Sequence, residues 1–146
     1  MGYMGYRVDS WETDFRISAD KIAAVLAEVN ADPALTRPCW NRAHNINGDV
    51  IEPHDCQRTK LFKLLTDVVE ELTGFHDCEE GIDGFRLGYH LDNKWHPITD
   101  DVLNVLGRYA DEGSFARFSA DSQLFGYRVI DGKLHTESAV VTWSVP

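Results

Sequence analysis

The Asp131-Gly132 pair most narrows what this chain can become. It stands between two runs of strand character, Leu124–Ile130 and Lys133–Trp143, and a third run, Ser114–Ala120, lies just before them. The two-residue turn that matches strand twist needs positive φ at both central residues, which Asp and Gly tolerate at low cost. The last third of the chain therefore reads as an antiparallel meander of three strands. Phe125, Tyr127 and Val129 alternate with Leu124, Gly126, Arg128 and Ile130, so each strand presents two distinct faces.

The rest of the chain supplies helices to cover such a sheet. Tyr3–Ser18 alternates imperfectly, as a strand with a bulge or an edge strand does. Ser18 and Asp20 open a first helix over Ala19–Asn30, with Ile22, Val25, Leu26 and Val29 at helical spacing, and Ala31-Asp32-Pro33 stops it. Residues 34–55 hold scattered Pro, Gly and Asn and read as a long irregular loop anchored by Trp40. Leu61, Leu64, Leu65, Val68, Val69 and Leu72 mark a second helix, capped near Asp55 or Gln57 and ended by Thr73-Gly74. An acidic loop follows over 76–84, and then a strand from Phe85 to Leu91 with Phe85, Leu87, Tyr89 and Leu91 on one face. Pro97 and an N-capping Thr99 start a third helix, with Asp100 and Asp101 in its first turn. The order is strand, helix, helix, strand, helix, then three strands. The expected class is α+β: an antiparallel sheet of about five strands with two to three helices on one face, in one domain over residues 1–146.

Composition bounds the partners. The chain of 146 residues carries 24 Asp and Glu against 14 Lys and Arg, a formal charge of -10. Such a field repels phosphate backbones and disfavours direct nucleic-acid binding. No apolar run approaches the length of a membrane span. The three cysteines, Cys39, Cys56 and Cys78, are an odd number. Met1–Tyr6 lacks the basic and apolar regions of a signal peptide, so the expected setting is the reducing cytoplasm.

No catalytic signature emerges. His54-Asp55-Cys56 and His76-Asp77-Cys78 repeat one tripeptide, but a helix between them would hold them roughly 25 Å apart, too far for one zinc ion. Cys39, His44, His54 and Cys56 could converge only within the irregular loop, and no metal or cofactor is assigned. Pro38-Cys39 lacks the second cysteine of a zinc deaminase. There is no Gly-rich phosphate loop. Two surfaces remain. Glu70, Glu71, Asp77, Glu79, Glu80 and Asp83, with Trp40, make an acidic candidate contact region. Arg86, Tyr89, Trp95, Arg117, Tyr127 and Arg128, if they share the sheet face away from the helices, make a basic-aromatic patch for a small anion or nucleotide. The competing reading pairs these arginines with Glu137, Asp121 or Asp9 across strands.

Gly84–Trp143 resembles a group of small uncharacterised α+β proteins of bacteriophages and bacteria. The resemblance rests on Phe85-x-Leu87, Trp95, the stretch Gly107–Phe115, the Gly113-Ser114-Phe115-x-x-Phe118 pattern and Gly126-Tyr127-Arg128-Val129-x-Asp131-Gly132-Lys133. Members often carry a Gly-Glu-Asp-Gly turn where this chain has Ser119-Ala120-Asp121-Ser122. The resemblance implies a phage accessory protein that binds a host protein, and it implies no catalytic residue. The expectation is a non-enzymatic, acidic protein-binding module of the host cytoplasm, with anionic-ligand binding as the alternative. A free edge at the first or last strand would also allow homodimerisation by sheet extension.

Overall fold

A computed structural model describes residues 7–36, 61–92, 95–121, 123–140 and 142–145, with the backbone of 43–44 and 50–51. In chain order the elements are β1 (Val8–Asp14), β2 (Arg16–Ile17), a 3-10 turn (Ala19–Lys21) running into α1 (Ile22–Asn30), α2 (Pro33–Thr36), β3 (Ala43–His44), β4 (Val50–Ile51), α3 (Leu65–Leu72), β5 (Phe75–His76), β6 (Glu79–Gly81), β7 (Gly84–Arg86), β8 (Tyr89–Asp92), α4 (Pro97–Gly107), β9 (Phe115–Ala120), β10 (Gln123–Ile130) and β11 (Lys133–Ser138). Six strands form an antiparallel sheet in the order β11-β10-β9-β1-β8-β5; β2-β7-β6 form a second sheet, and β3 pairs with β4. The fold is α+β.

The terminal hairpin closes at Asp131 and Gly132, with φ of 53° and 74°. The Glu112 carboxylate accepts from the Asp131 N–H at 2.9 Å and so holds the turn against the β9 approach. Register follows: Phe118 faces Phe125, Ala116 faces Tyr127, and Val129 faces Leu134. These residues share the sheet face that meets the helices. Gly107 of α4 packs there, where a Cβ would lie 3.0 Å from the Leu134 Cβ. Val25, Val29, Leu65, Val68, Val69, Val102, Leu103 and Leu106 join Ala116, Phe118 and Val129 in one buried core. Each large side chain so buried contributes about 1.5–3 kcal/mol.

The predicted bulge is real, but it lies in an interior strand. β1 sits between β9 and β8, and its register slips between Ser10 and Glu12. The first strand therefore offers no free edge; the sheet ends at β11 and β5. The last strand is shorter than its apolar pattern suggests. Its final ladder pair is Phe125–Ser138, and Trp143 beyond it is 94% exposed.

Other expectations change as well. The second helix begins at Leu65, not near residue 57: Leu64 is extended, with φ -124° and ψ 140°, and Leu61 and Leu64 are exposed. Its first turn is capped from a distance, because Glu80 accepts from the Thr66 N–H at 2.8 Å and the Leu65 N–H at 3.2 Å. The acidic stretch 76–84 is not one loop: His76 ends β5, and residues from Glu79 onward form the β6–β7 hairpin. The strand expected over Phe85–Leu91 is two strands in two sheets, broken at Leu87-Gly88. Alternation flips there, so Leu87 and His90 are buried while Tyr89 and Leu91 are exposed. Thr99 is buried inside α4, which starts at Pro97 after an extended His96. Pro33 likewise opens α2, with Asp32 Oδ1 accepting from the Ala34 N–H at 2.9 Å. The caps proposed at Asp55 and Gln57 lie outside the described residues.

Gly88 permits the break: a Cβ there would lie 1.8 Å from the His76 carbonyl oxygen. Gly88→Ala is expected to lower unfolding free energy by about 1–3 kcal/mol or more in denaturant titrations. Glu80→Ala should cost about 1 kcal/mol through loss of the α3 cap, whereas Glu79→Ala should cost almost nothing. Equal losses at 79 and 80 would contradict the capping role.

Candidate functional site

The sheet face away from the helices is governed by Gly126. This residue stands directly between Arg117 on β9 and Glu137 on β11. Its missing side chain lets Arg117 lie flat, since a Cβ would come within 3.0 Å of the Arg117 Cγ. Arg117 Nε then donates to Glu137 Oε1 at 3.3 Å and its Nη1 to Glu12 Oε1 at 2.6 Å. Arg128 Nε donates to Glu137 Oε2 at 2.7 Å. Both guanidinium carbons lie over the Phe115 ring, at 4.6 and 4.8 Å from its centroid. The hydrogen bond from Arg128, then that from Arg117, holds the Glu137 carboxyl below its ordinary range, and Glu137 and Glu12 raise Arg117 in turn. The bulge matters here as well. It turns Trp11 outward, 63% exposed, and Trp11, Leu124 and Val140 line a groove of about 370 Å³ with Glu12, Arg117 and Glu137 of the network. As a chemical surface the network is already neutralised, so its arginines offer little to an incoming anion.

The six basic-aromatic candidates are not brought together. Arg117 and Arg128 form that network. Tyr89 lies on the same face but at the far side of the sheet, against His76 with ring centroids 5.9 Å apart, and hydrogen-bonds Asp77. Arg86 belongs to the second sheet, opposite Glu79. Trp95 and Tyr127 lie on the helix-facing side, stacked at 6.2 Å and 17°. Both donate to one oxygen of Asp100: Trp95 Nε1 at 3.1 Å and the Tyr127 hydroxyl at 2.9 Å. Burial and then Asp100 push the Tyr127 hydroxyl well above its ordinary range. Asp100 was legible only as a first-turn acid of α4; its partnership with two rings has no sequence signal.

The acidic candidates divide by role. Glu80 caps α3, and Glu70 accepts from the Cys78 N–H at 2.9 Å, so both hold the fold. Asp77 sits at positive φ, 55°, beside Tyr89. Glu79 and Asp83 are exposed on the β6–β7 hairpin, and Glu71 is exposed on α3. Between Glu79 and Asp83, at the hairpin tip, Ile82 is 94% exposed. Nothing in the sequence marked Ile82, because an isolated isoleucine beside glycine reads as ordinary turn filler. The hairpin and β2 frame a recess of about 500 Å³ lined by Arg16, Ser18, Glu79, Ile82, Asp83 and Arg86. Trp40 lies outside the described residues.

Among the described residues the groups able to do nucleophilic or metal chemistry are few. Burial raises the Cys78 thiol to about 12, the Gly88 N–H only partly offsetting it, and Glu70 and Asp77 add to the rise. At neutral pH it is a protonated thiol, unsuited to attack. Among the described residues, no three His, Cys, Asp or Glu side chains converge to hold a metal ion. Cys39, His54, Cys56 and the side chain of His44 lie outside them. No helix among the described residues is long and apolar enough to cross a membrane. No family model, curated protein or solved structure matches the chain.

Among the described residues His90 is the one fully buried titratable ring of the core. Its Nδ1 contacts the Val8 carbonyl at 2.7 Å, while Nε2 has no hydrogen-bond partner among the described residues. Burial lowers its pKa from the ordinary 6.5, against the opposing pull of the Val8 carbonyl and Asp92; His76 and His96 add to the lowering. The unfolded chain binds this proton more readily than the folded one. Stability from the neutral ring is therefore present above pH 6.5 and lost as pH falls through the lower folded value. Denaturant titrations across that window should show declining stability for the wild-type protein and a flatter profile for His90→Gln. Parallel profiles would exclude His90 as the cause.

Proposed function

We propose that this chain is a non-enzymatic protein-binding module whose contact element is the acidic β6–β7 hairpin. The observation that carries the reading is the hairpin tip: Ile82, 94% exposed, flanked by the exposed carboxylates of Glu79 and Asp83. A lone apolar residue on a surface needs no explanation. Here, however, it stands on a hairpin whose root is fixed twice, by Glu80 on α3 and by the β2–β7 pairing. A rigid apolar tip with an acidic rim suits a basic surface with a small apolar cleft. The rim steers encounter and the tip fills the cleft. The net charge of -10 adds long-range attraction for such a partner.

The likeness of the C-terminal half to small phage and bacterial proteins supports a host-cell protein as the partner, met in the host cytoplasm. The alternative, anion binding by the sheet arginines, is less well supported, because Arg117 and Arg128 are paired with Glu12 and Glu137.

Affinity capture from bacterial lysate, with the bound protein identified and repurified, tests the proposal. The doubly reversed variant Glu79→Lys/Asp83→Lys and, separately, Ile82→Asp should weaken the complex about tenfold or more, with thermal stability unchanged. The wild-type complex should also weaken with salt. Glu80 is left intact because it caps α3. Undiminished capture by both variants would rule out the hairpin as the contact.

A further inference from the structure

We infer that the recess beside Trp95 and Tyr127 is a binding site for an alkylated ammonium group. The recess encloses about 560 Å³ and is lined by Trp95, Phe125, Tyr127, Asp100 and Asp121, with Ala120 and Gln123 at its edge. This surface is separate from the β6–β7 hairpin and does not depend on it.

Three observations fix the chemistry. The first is the arrangement of rings. Trp95 and Tyr127 are nearly parallel, and Phe125 stands perpendicular to both, at 86° and 89°, with centroids 5.4 and 6.2 Å away. Rings meeting at right angles give a corner with π-electron density on more than one side. An ammonium group within about 6 Å of such faces is attracted by their quadrupoles. The second is charge. Asp100 lies in the wall and makes no ion pair with Arg or Lys among the described residues. Its Oδ1 accepts from Trp95 Nε1 and from the Tyr127 hydroxyl. Two neutral donors orient the carboxylate without cancelling its charge, and those same bonds lock both rings in place. Asp121, exposed at the β9–β10 turn, adds a second negative charge at the mouth. The third is what the site lacks. Among the described residues no cationic side chain lines the recess, so an anion or a nucleotide phosphate would meet the carboxylates of Asp100 and Asp121 there.

Size and softness narrow the cation further. A bare metal ion would want several oxygen ligands at short range, and aromatic rings cannot supply them. A primary ammonium is strongly hydrated and loses that hydration against rings. A methylated ammonium spreads its charge over apolar methyl groups, which suits rings and a carboxylate together. The ligand is therefore a quaternary or highly methylated ammonium, either as a free small molecule or as a methylated lysine on a peptide.

The probes are tetramethylammonium, choline and a trimethyllysine-containing peptide, followed by calorimetry and by the Trp95 indole N–H resonance. Choline should bind saturably and shift that resonance. Its neutral carbon isostere, 3,3-dimethylbutanol, should bind about tenfold more weakly or not at all, since the charge is the discriminating feature. Asp100→Asn keeps an acceptor for both rings and removes the charge; it should lose about tenfold in choline affinity with the fold intact by circular dichroism. Phe125→Leu should lose affinity as well. Trp95 is left unaltered because it also packs in the core. A peptide that binds more tightly than choline identifies a protein-borne source, and equal binding identifies a free ligand. Absence of saturable binding, equal affinity for the neutral isostere, or unchanged affinity in Asp100→Asn would each overturn the assignment.

Discussion

One aromatic cluster on the helix-facing side of the six-stranded sheet ties distant parts of the chain together. Phe75 comes from β5, His90 from β8, Trp95 from the approach to α4, Phe118 from β9, and Phe125 and Tyr127 from β10. Neighbouring centroids stand between 4.9 and 6.3 Å apart, mostly edge to face, the geometry such rings prefer. Strand β1 crosses this array with a small residue, Ser10, whose hydroxyl accepts from the His90 N–H at 2.7 Å. A larger side chain at that position would crowd the rings on either side. Ser10 thus ties β1 to β8 within the array.

The same logic of a small residue making room recurs on the opposite face. Gly126 lets one guanidinium cross a strand and reach a carboxylate on the next. Exposed ion pairs contribute little singly, roughly 0–1 kcal/mol. Here Glu137 serves two arginines that also share one phenyl face, so the three strands β9, β10 and β11 are joined by side chains as well as by backbone bonds. The cost is chemical: cations bound in this way are not offered to a ligand.

The C-terminal meander was legible because its signals are local. Asp131-Gly132 needs only its own backbone to make a turn, and alternation at Phe125, Tyr127 and Val129 needs only one register. The extent of α3 was not legible. Leu61 and Leu64 continue the apolar spacing of that helix, yet the helix starts where Glu80, fifteen residues away, supplies the cap. A cap contributed from a later hairpin leaves no trace in the helix's own sequence. The break at Gly88 was hidden for a related reason. Residues 85–91 alternate as one strand does, and only the close approach of the His76 carbonyl shows that the chain changes sheets there. Of the candidate contact residues, composition revealed the acids but not their division of labour. Glu70 and Glu80 bind backbone N–H groups, while Glu79 and Asp83 face outward.

The position of Trp95 shows how far charge pattern alone misleads. Grouped by composition with the arginines of the sheet, it suggested affinity for an anion. The sheet separates them: alternation sends Arg117 and Arg128 to one face and Tyr127, with Trp95 against it, to the other. On that second face the polar partner is Asp100, delivered by the first turn of α4, where a carboxylate is favoured by the helix dipole. An acid placed there for helix stability becomes the anchor of two rings, and the sign of the ligand charge that the recess accepts is reversed. The period-two geometry of a β-strand, acting on two neighbouring residues of β10, thus separates a self-neutralised cationic surface from one whose polar anchor is the Asp100 carboxylate.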